Sequence, residues 1–262
     1  PKERLHEAEG GFGWERDRRN VTEMLKLIDG RDPSRPFLTF EFFESPHARY
    51  HFPPETVIRT PYLEDLNYAT MNLERDIGLM KNRYINSCRH LDTQIARIIE
   101  HLEARGLLDS TIVLITGDHG EEFMEHGRWG HNSTFAEEQI RVPFVLRVPG
   151  RAPEVVTRMT SHLDIPATFL RILGVENPLR DFTLGLDLFG PERREFAVLA
   201  NWDCVAYVDE RFTGVFPLRS VGFSEHIDRT KVGDQTADPK EFLERTRPRL
   251  LEVLKDLKRF SR

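Results

Sequence analysis

Apolar residues recur along this chain in two rhythms, a three-to-four-residue spacing and short unbroken runs, and their alternation predicts its elements. Between Tyr84 and Arg105, the residues Ile85, Cys88, Leu91, Ile95, Ile98, Ile99 and Leu102 keep the helical spacing, which predicts a helix with one apolar face. Gly106 follows it, as a residue that ends a helix should. A shorter helical stretch runs from Val21 to Ile28, with Val21, Met24, Leu25 and Ile28 on one side and Pro33 and Pro36 beyond its end. Phe37 to Phe43 reads as a buried strand bounded by prolines, and Ser45 to Pro54 as an aromatic, proline-containing loop. Thr111 to Thr116 and Val142 to Val148 are the kind of run found in strands covered on both faces, the second stopped by Pro149-Gly150.

Further on, Asp164 reads as the N-cap of a helix from Ile165 to Leu173, with Pro166 in its first turn and Gly174 after its end. From Glu195 to Val215 the pattern shortens to β segments, which predicts a small antiparallel region. An amphipathic stretch from Pro239 to Phe260, interrupted near Pro248, closes the chain. Three parts are expected: a charged segment over 1–35, a core over 36–190, and β segments with a closing helix over 191–262. Helix, strand, loop, strand, helix is an α/β order. In open α/β sheets ligands sit beyond the carboxyl ends of the strands, which directs attention to the loop after Thr116.

Composition changes this picture little. The 262 residues are 39% hydrophobic and 31% charged, with a formal charge of -6. That mild acidity argues against a general nucleic-acid or membrane-surface binder, although a metal ion can still recruit an anionic substrate locally. The two cysteines, Cys88 and Cys204, have no spacing that suggests a disulfide framework or metal cluster, and unpaired structural thiols are expected. No apolar run approaches the ~18 residues of a membrane span, and no signal-peptide pattern is visible. The sequence begins Pro1-Lys2-Glu3 without an initiating Met, so a piece or a processed form of a longer protein is expected.

The candidate chemistry lies in Gly117-Asp118-His119-Gly120-Glu121-Glu122-Phe123-Met124-Glu125-His126-Gly127-Arg128-Trp129-Gly130-His131-Asn132. Three of the ten histidines fall within thirteen residues there, beside four acidic residues. Asp118 and His119 stand where a strand gives up its ladder, so both side chains can turn toward one ion. A carboxylate oxygen with an imidazole nitrogen suits Zn²⁺ or Mn²⁺ better than an all-oxygen Ca²⁺ site. Taken alone, the same letters fit a loop-capping Asp among surface histidines about equally well.

The order of motifs decides between these. Leu107-Leu108-Asp109-Ser110-Thr111-Ile112-Val113 leads into Thr116-Gly117-Asp118-His119-Gly120-Glu121, followed by Glu125-His126-Gly127, Gly130-His131, Glu137-Glu138 and Arg141-Val142-Pro143. Upstream stands Ser45-Pro46-His47-Ala48-Arg49-Tyr50; downstream stand Ser161-His162-Leu163-Asp164-Ile165-Pro166-Ala167-Thr168 and Gly185-Leu186-Asp187-Leu188. Over about residues 36–190 this resembles the C-terminal portion of the sulfatase family, in the alkaline phosphatase superfamily. The resemblance implies an alkaline-phosphatase-like sheet covered by helices and one divalent metal site for Zn, Mn or Ca. It assigns Asp118 and His119 to the metal. It makes His131 and His47 the catalytic contacts, at the sulfuryl or phosphoryl oxygens or at the departing oxygen. Such a reaction needs a Lewis acid, cationic donors at nonbridging oxygens and an acid for the leaving alkoxide.

Other residues carry weaker expectations. His51 is the alternative to His47. His126 and Arg141 are expected to shape or anchor the loop, Glu121 to serve loop hydrogen bonding or to orient His119 from behind, His90 and Asp92 to be structural or solvated, and His162 and Asp164 to belong to a helix cap.

The resemblance also implies a nucleophile, a modified cysteine in sulfatases or a threonine or serine in the phosphoryl-transferring relatives, in a small-residue signature with Pro and Arg. None is visible here: Cys88 lies within a helix and Cys204 in Trp202-Asp203-Cys204-Val205. Either this is part of a longer enzyme, which the charged start and absent Met favour, or it is a degenerate member; alone it is expected to be weakly active or silent. Sulfate-ester hydrolysis leads. Phosphoryl-ester hydrolysis or transfer of phosphoethanolamine or phosphoglycerol is the alternative, and a non-catalytic envelope protein that keeps the fold is another. The partners implied are small-molecule, lipid or carbohydrate sulfate or phosphate esters, with no nucleic acid, no membrane span in this chain and an anchor possible upstream. A periplasmic or extracellular location follows from the family only.

Overall fold

The computed structural model describes residues 11–217, 229–231, 235–236 and 238–257. The first ten residues of the expected charged segment lie outside them, as does the end of the expected closing helix after Leu257. Two compact units emerge, one formed by the chain up to His131 with Ala136–Ala152, the other by Asn132–Phe135 and the chain from Pro153 onward.

In the first unit, helix α1 (Gly13–Asp29) buries Val21, Met24 and Ile28, three of the four apolar positions read from the sequence. Helix α2 spans Leu73–Ala104, three turns more at its N-terminal end than the spacing predicts. Asn72 caps it, its side chain accepting from the Arg75 amide at 3.0 Å. Gly106 adopts φ 65°, and the amides of Gly106 and Leu107 close on the carbonyls of Glu103 and Leu102 at 2.9 and 2.8 Å.

The burial of α2 departs from the expected apolar face. Leu102 is buried, but Ile85, Cys88, Leu91, Ile95, Ile98 and Ile99 are only half-buried, whereas Arg83, Asn86, Ser87, His90 and Gln94 are buried. The reason is the irregular loop that crosses α2. Its backbone groups have no ladder and must find side chains. Arg83 donates to the carbonyls of Arg49, Leu63 and Glu64. Asn86 accepts from the amides of Ile58 and Arg59 and donates to the Arg59 carbonyl.

Strand β1 (Val113–Thr116) pairs antiparallel with β4 (Phe144–Arg147), Thr116 opposite Phe144 and Val113 opposite Arg147. Both were expected to be covered on both faces. Instead they form a two-stranded pair with half-exposed residues among the described ones. The expected strand Phe37–Phe43 is likewise corrected. It lacks a ladder partner among the described residues, and Leu38, Phe40 and Phe42 are 94, 85 and 63% exposed. The aromatic run is there; the burial and the pairing are not. Between β1 and β4 lie β2 (Glu122–Phe123), β3 (Trp129–Gly130) and the single-turn helix α3 (Glu137–Ile140). One core gathers Tyr50, Leu66, Met80 and Phe123 with Trp129, and another gathers Met24, Ile28 and Leu102 with Phe37, Leu108 and Val113.

In the second unit, helix α4 (Asp164–Ile172) takes Asp164 as its first residue rather than as its cap, which is Leu163. Asp164 and Thr168, one turn apart, accept the amides of Leu186 and Leu188 at 2.8 and 2.9 Å, so the Gly185-Leu186-Asp187-Leu188 loop is docked along one helix face. Gly185 has to be glycine: a Cβ there would meet the Leu163 carbonyl oxygen at 1.7 Å. The expected antiparallel region is an up-and-down sheet of β5 (Ala197–Ala200), β6 (Cys204–Val208), β7 (Phe212–Pro217), β8 (Arg229–Lys231) and β9 (Gln235–Thr236). Helix α5 (Pro239–Leu257) packs Phe242 into Tyr207 and Phe212. It runs through Pro248, where an interruption was expected. Pro248 and Glu244 are exposed, so the carbonyl that loses its partner faces water.

Candidate functional site

The loop after β1 is built so that its polar side chains are presented rather than consumed. Asp118 follows the strand by two residues and its side chain is 63% exposed. Its Oδ1 accepts the His119 amide at 3.0 Å, and its Oδ2 lies 3.7 Å from His119 Nε2. On the other side of the ring, Nδ1 lies 2.9 Å from the Gly120 carbonyl oxygen. A carbonyl can only accept, so Nδ1 carries the proton and Nε2 offers its lone pair beside the carboxylate. With bonds of about 2.0–2.2 Å to each donor, one ion can be shared across that gap. The Nδ1 to carbonyl contact is the supporting hydrogen bond that metal-bound histidines use.

Gly120 makes the turn possible. Its amide donates to the Gln139 carbonyl at 2.8 Å, and a Cβ would lie 2.0 Å from the Glu138 carbonyl oxygen. α3 therefore crosses the loop at a distance only glycine allows.

Beyond Gly120 the chain enters a hairpin in which Glu122 pairs with Gly130 and Phe123 with Trp129. That register places Glu121 opposite His131 at the open end, and Glu121 Oε2 lies 3.2 Å from His131 Nδ1. Glu121, expected to serve loop hydrogen bonding or to orient His119, meets His131 across the hairpin. The His131 ring stacks on that of His119 with centroids 3.9 Å apart, and donor atoms of His119, Glu121 and His131 lie within 4.8 Å of one another. The hairpin is fixed by Glu122, whose buried carboxylate accepts from the amides of His126 and Arg128, both at 3.1 Å, and from Gln139 Nε2 at 2.7 Å.

His47 reaches the same place from the loop before α2. Its ring centroid is 6.3 Å from that of His131, and its Nδ1 lies 2.8 Å from the Ala48 carbonyl, which leaves Nε2 outward. His51 does not join it; its ring packs against Phe12 at 5.0 Å. The His47 loop is held by α1. Asp17, buried, accepts the amides of Glu44 and Ser45 at 2.8 and 2.9 Å and the Ser45 hydroxyl, while Arg16 pairs with Glu44. From the far side, the Trp129 indole donates to the Tyr50 hydroxyl at 3.1 Å.

The remaining candidates divide plainly. His126 pairs with Glu138 at 2.9 Å, and exposed Arg141 pairs with Glu137 at 3.4 Å. His90 is fully buried, Asp92 pairs with Arg89 on the surface, and His162 is exposed. Both cysteines are free thiols, and burial pushes the Cys88 thiol up, which disfavours the thiolate a nucleophile needs. Asp17, Asn86, Arg83 and Glu122 were not singled out from the sequence, because each acts on backbone groups that only the folded loop brings to it.

Comparison with known proteins defines the class. The profile described as Sulfatase matches residues 6–175, well over half of the chain, and the chain belongs to the sulfatase family. It is 29% identical over 181 residues to the inner membrane protein YejM of Salmonella typhimurium, covering 68% of this chain and 29% of that one. It is 31% identical over 127 residues to the choline-sulfatase of Rhizobium meliloti, covering 47% of this chain and 25% of that one. Among solved structures, the phosphonate monoester hydrolase of Agrobacterium radiobacter superposes with a TM-score of 0.70 at 18% identity, covering 95% of this chain and 62% of that one. The chain thus spans less than a third of the length of these two curated relatives. The fold is alkaline-phosphatase-like, with helices and small antiparallel sheets.

Proposed function

We propose that the protein belongs to a metal-dependent sulfuric ester hydrolase in which Asp118 and His119 hold a divalent cation and His131 and His47 meet the oxygens of the ester group. The observation that carries this is the pairing of Asp118 Oδ2 with His119 Nε2 at 3.7 Å, with the far nitrogen of the ring tied to the Gly120 carbonyl. A bound Zn²⁺, Mn²⁺ or Ca²⁺ supplies Lewis acidity toward a sulfuryl or phosphoryl oxygen. His131, held from behind by Glu121, and His47, with Nδ1 on the Ala48 carbonyl, would each act as the imidazolium, His131 Nε2 donating to a nonbridging oxygen and His47 Nε2 giving its proton to the departing alkoxide. Burial disfavours the Cys88 thiolate, and neither cysteine stands in the nucleophile signature the family resemblance implies, so the 262-residue chain alone is expected to turn over esters slowly or not at all.

The choline-sulfatase relative supports sulfate esters as the substrate class. A phosphoryl-ester hydrolase or a phosphoethanolamine or phosphoglycerol transferase is the second reading, supported by the lipoteichoic acid synthase-like relative of Bacillus subtilis. An envelope location is proposed from the relationship to an inner membrane protein; among the described residues no helix is long and apolar enough to cross a membrane. The native gene product is expected to hydrolyse 4-nitrocatechol sulfate and to lose that activity with a chelator. Preference for aryl phosphates gives the second reading. No turnover of either ester together with no stoichiometric metal contradicts both and leaves a binding role.

A further inference from the structure

A cleft of about 540 Å³ lies in the first unit between α1, α2 and the short turn Pro54–Thr56, away from the loop that carries Asp118 and His119. Its walls are two facing helix stripes. Arg18 and Thr22 stand one turn apart on α1, and Arg89, Thr93 and Arg97 stand at successive turns of α2. Three guanidiniums thus line the space against one carboxylate, Glu55.

The ion pairing is uneven. Arg18 pairs with Glu55, and Arg89 pairs with exposed Asp92 at 2.7 Å. Among the described residues Arg97 is held by neutral oxygens: Gln94 Oε1 at 2.6 Å, Thr22 Oγ1 at 2.9 Å and the Arg18 carbonyl at 3.4 Å. Those contacts fix the plane of the guanidinium without cancelling its charge. A half-buried, oriented guanidinium in a cleft that two further guanidiniums line is an arrangement that can receive a tetrahedral oxyanion through N–H donors. The cleft also falls in the size range of small-molecule sites, so it has room for the body that carries such a group.

We infer that this cleft is a second anion site, which binds the sulfate or phosphate group of a larger molecule between Arg97, Arg89 and Arg18. It is independent of the Asp118 and His119 loop and does not rest on the function proposed for that loop.

The test is a calorimetric titration of the metal-free protein with inorganic sulfate, inorganic phosphate and glucose 6-sulfate in separate runs. Saturable binding of one anion per chain is expected, tightest for the probe whose source the site serves. Arg97→Gln should weaken it at least about tenfold, the worth of a charge-assisted hydrogen-bond pair. Arg89→Gln, at an exposed position, should weaken it about threefold without threatening the fold. Arg97→Lys should keep part of the affinity, and Asp118→Asn with His119→Ala should leave it unchanged. Absence of saturable binding to all three probes overturns the inference. So does equal affinity in folded Arg97→Gln and Arg89→Gln proteins, or loss of binding in the Asp118→Asn, His119→Ala variant.

Discussion

Two loops of this chain carry an Asp one or two residues from a His, and they use the same letters in opposite ways. Asp164 is 2% exposed; it accepts the amides of Ser161 and Leu186, both at 2.8 Å, and pairs with Arg194, itself 10% exposed. Its neighbour His162 faces solvent. Asp118 is 63% exposed and its Oδ1 takes the amide of the next residue, which leaves Oδ2 toward the His119 ring. A carboxylate whose lone pairs are consumed by backbone amides and a guanidinium is a fastener. One left open beside an imidazole lone pair is a ligand in waiting.

Breaking the fastener should cost most. Asp164→Ala leaves Arg194 buried without its partner and strands two amides, so a loss of about 3–5 kcal/mol is expected in urea unfolding. A loss below about 1 kcal/mol would erase the distinction between the two loops. Glu122→Ala, which strands the amides of His126 and Arg128 and the Gln139 side chain, should cost about 2–3 kcal/mol and expose 121–131 to proteolysis. Asp118→Asn should do the reverse, moving stability by no more than about 0.5 kcal/mol while weakening divalent-metal affinity by tenfold or more.

The remaining effects are in pH. Asp76, 4% exposed, is held down at about 2 by its hydrogen bonds to the Arg75 side chain and the Asn72 amide. A depressed folded value means its stabilisation is complete above the ordinary value of 3.8 and lost as pH falls toward about 2. Asp76→Asn should flatten the unfolding midpoint over that window. Glu41 goes the other way, raised to about 7 by burial and by nearby Asp17. The folded state then holds its proton longer than the unfolded chain, so stability falls as pH rises from 4.5 to about 7. Glu41→Gln should remove that slope.

What the sequence disclosed follows the same divide. The C-terminal half of α2 with Gly106, the β run into Asp118 and the closing helix were legible, because apolar spacing and a terminating glycine act locally. The first turns of α2 were not, since Asp76 and Arg83 are buried for the sake of the capping position and the loop that crosses the helix. Phe37 to Phe43 shows the limit of a local reading. Its aromatic run between prolines suggests a strand but specifies no ladder partner. In the site, Asp118 and His119 stood out through their adjacency after a strand and through family resemblance. The meeting of Glu121 with His131 did not, because it depends on the register of a hairpin whose strands are two residues long.

The central claim is that Asp118 and His119 are half of a divalent-cation site. It is tested most directly by calorimetric titration of Zn²⁺ or Mn²⁺ into the protein and its Asp118→Asn and His119→Ala variants, with urea midpoints measured alongside. One ion per chain is expected, with affinity at least about tenfold lower in each variant and midpoints essentially unmoved. Equal affinity in all three proteins would contradict the account and make Asp118 a loop residue among surface histidines.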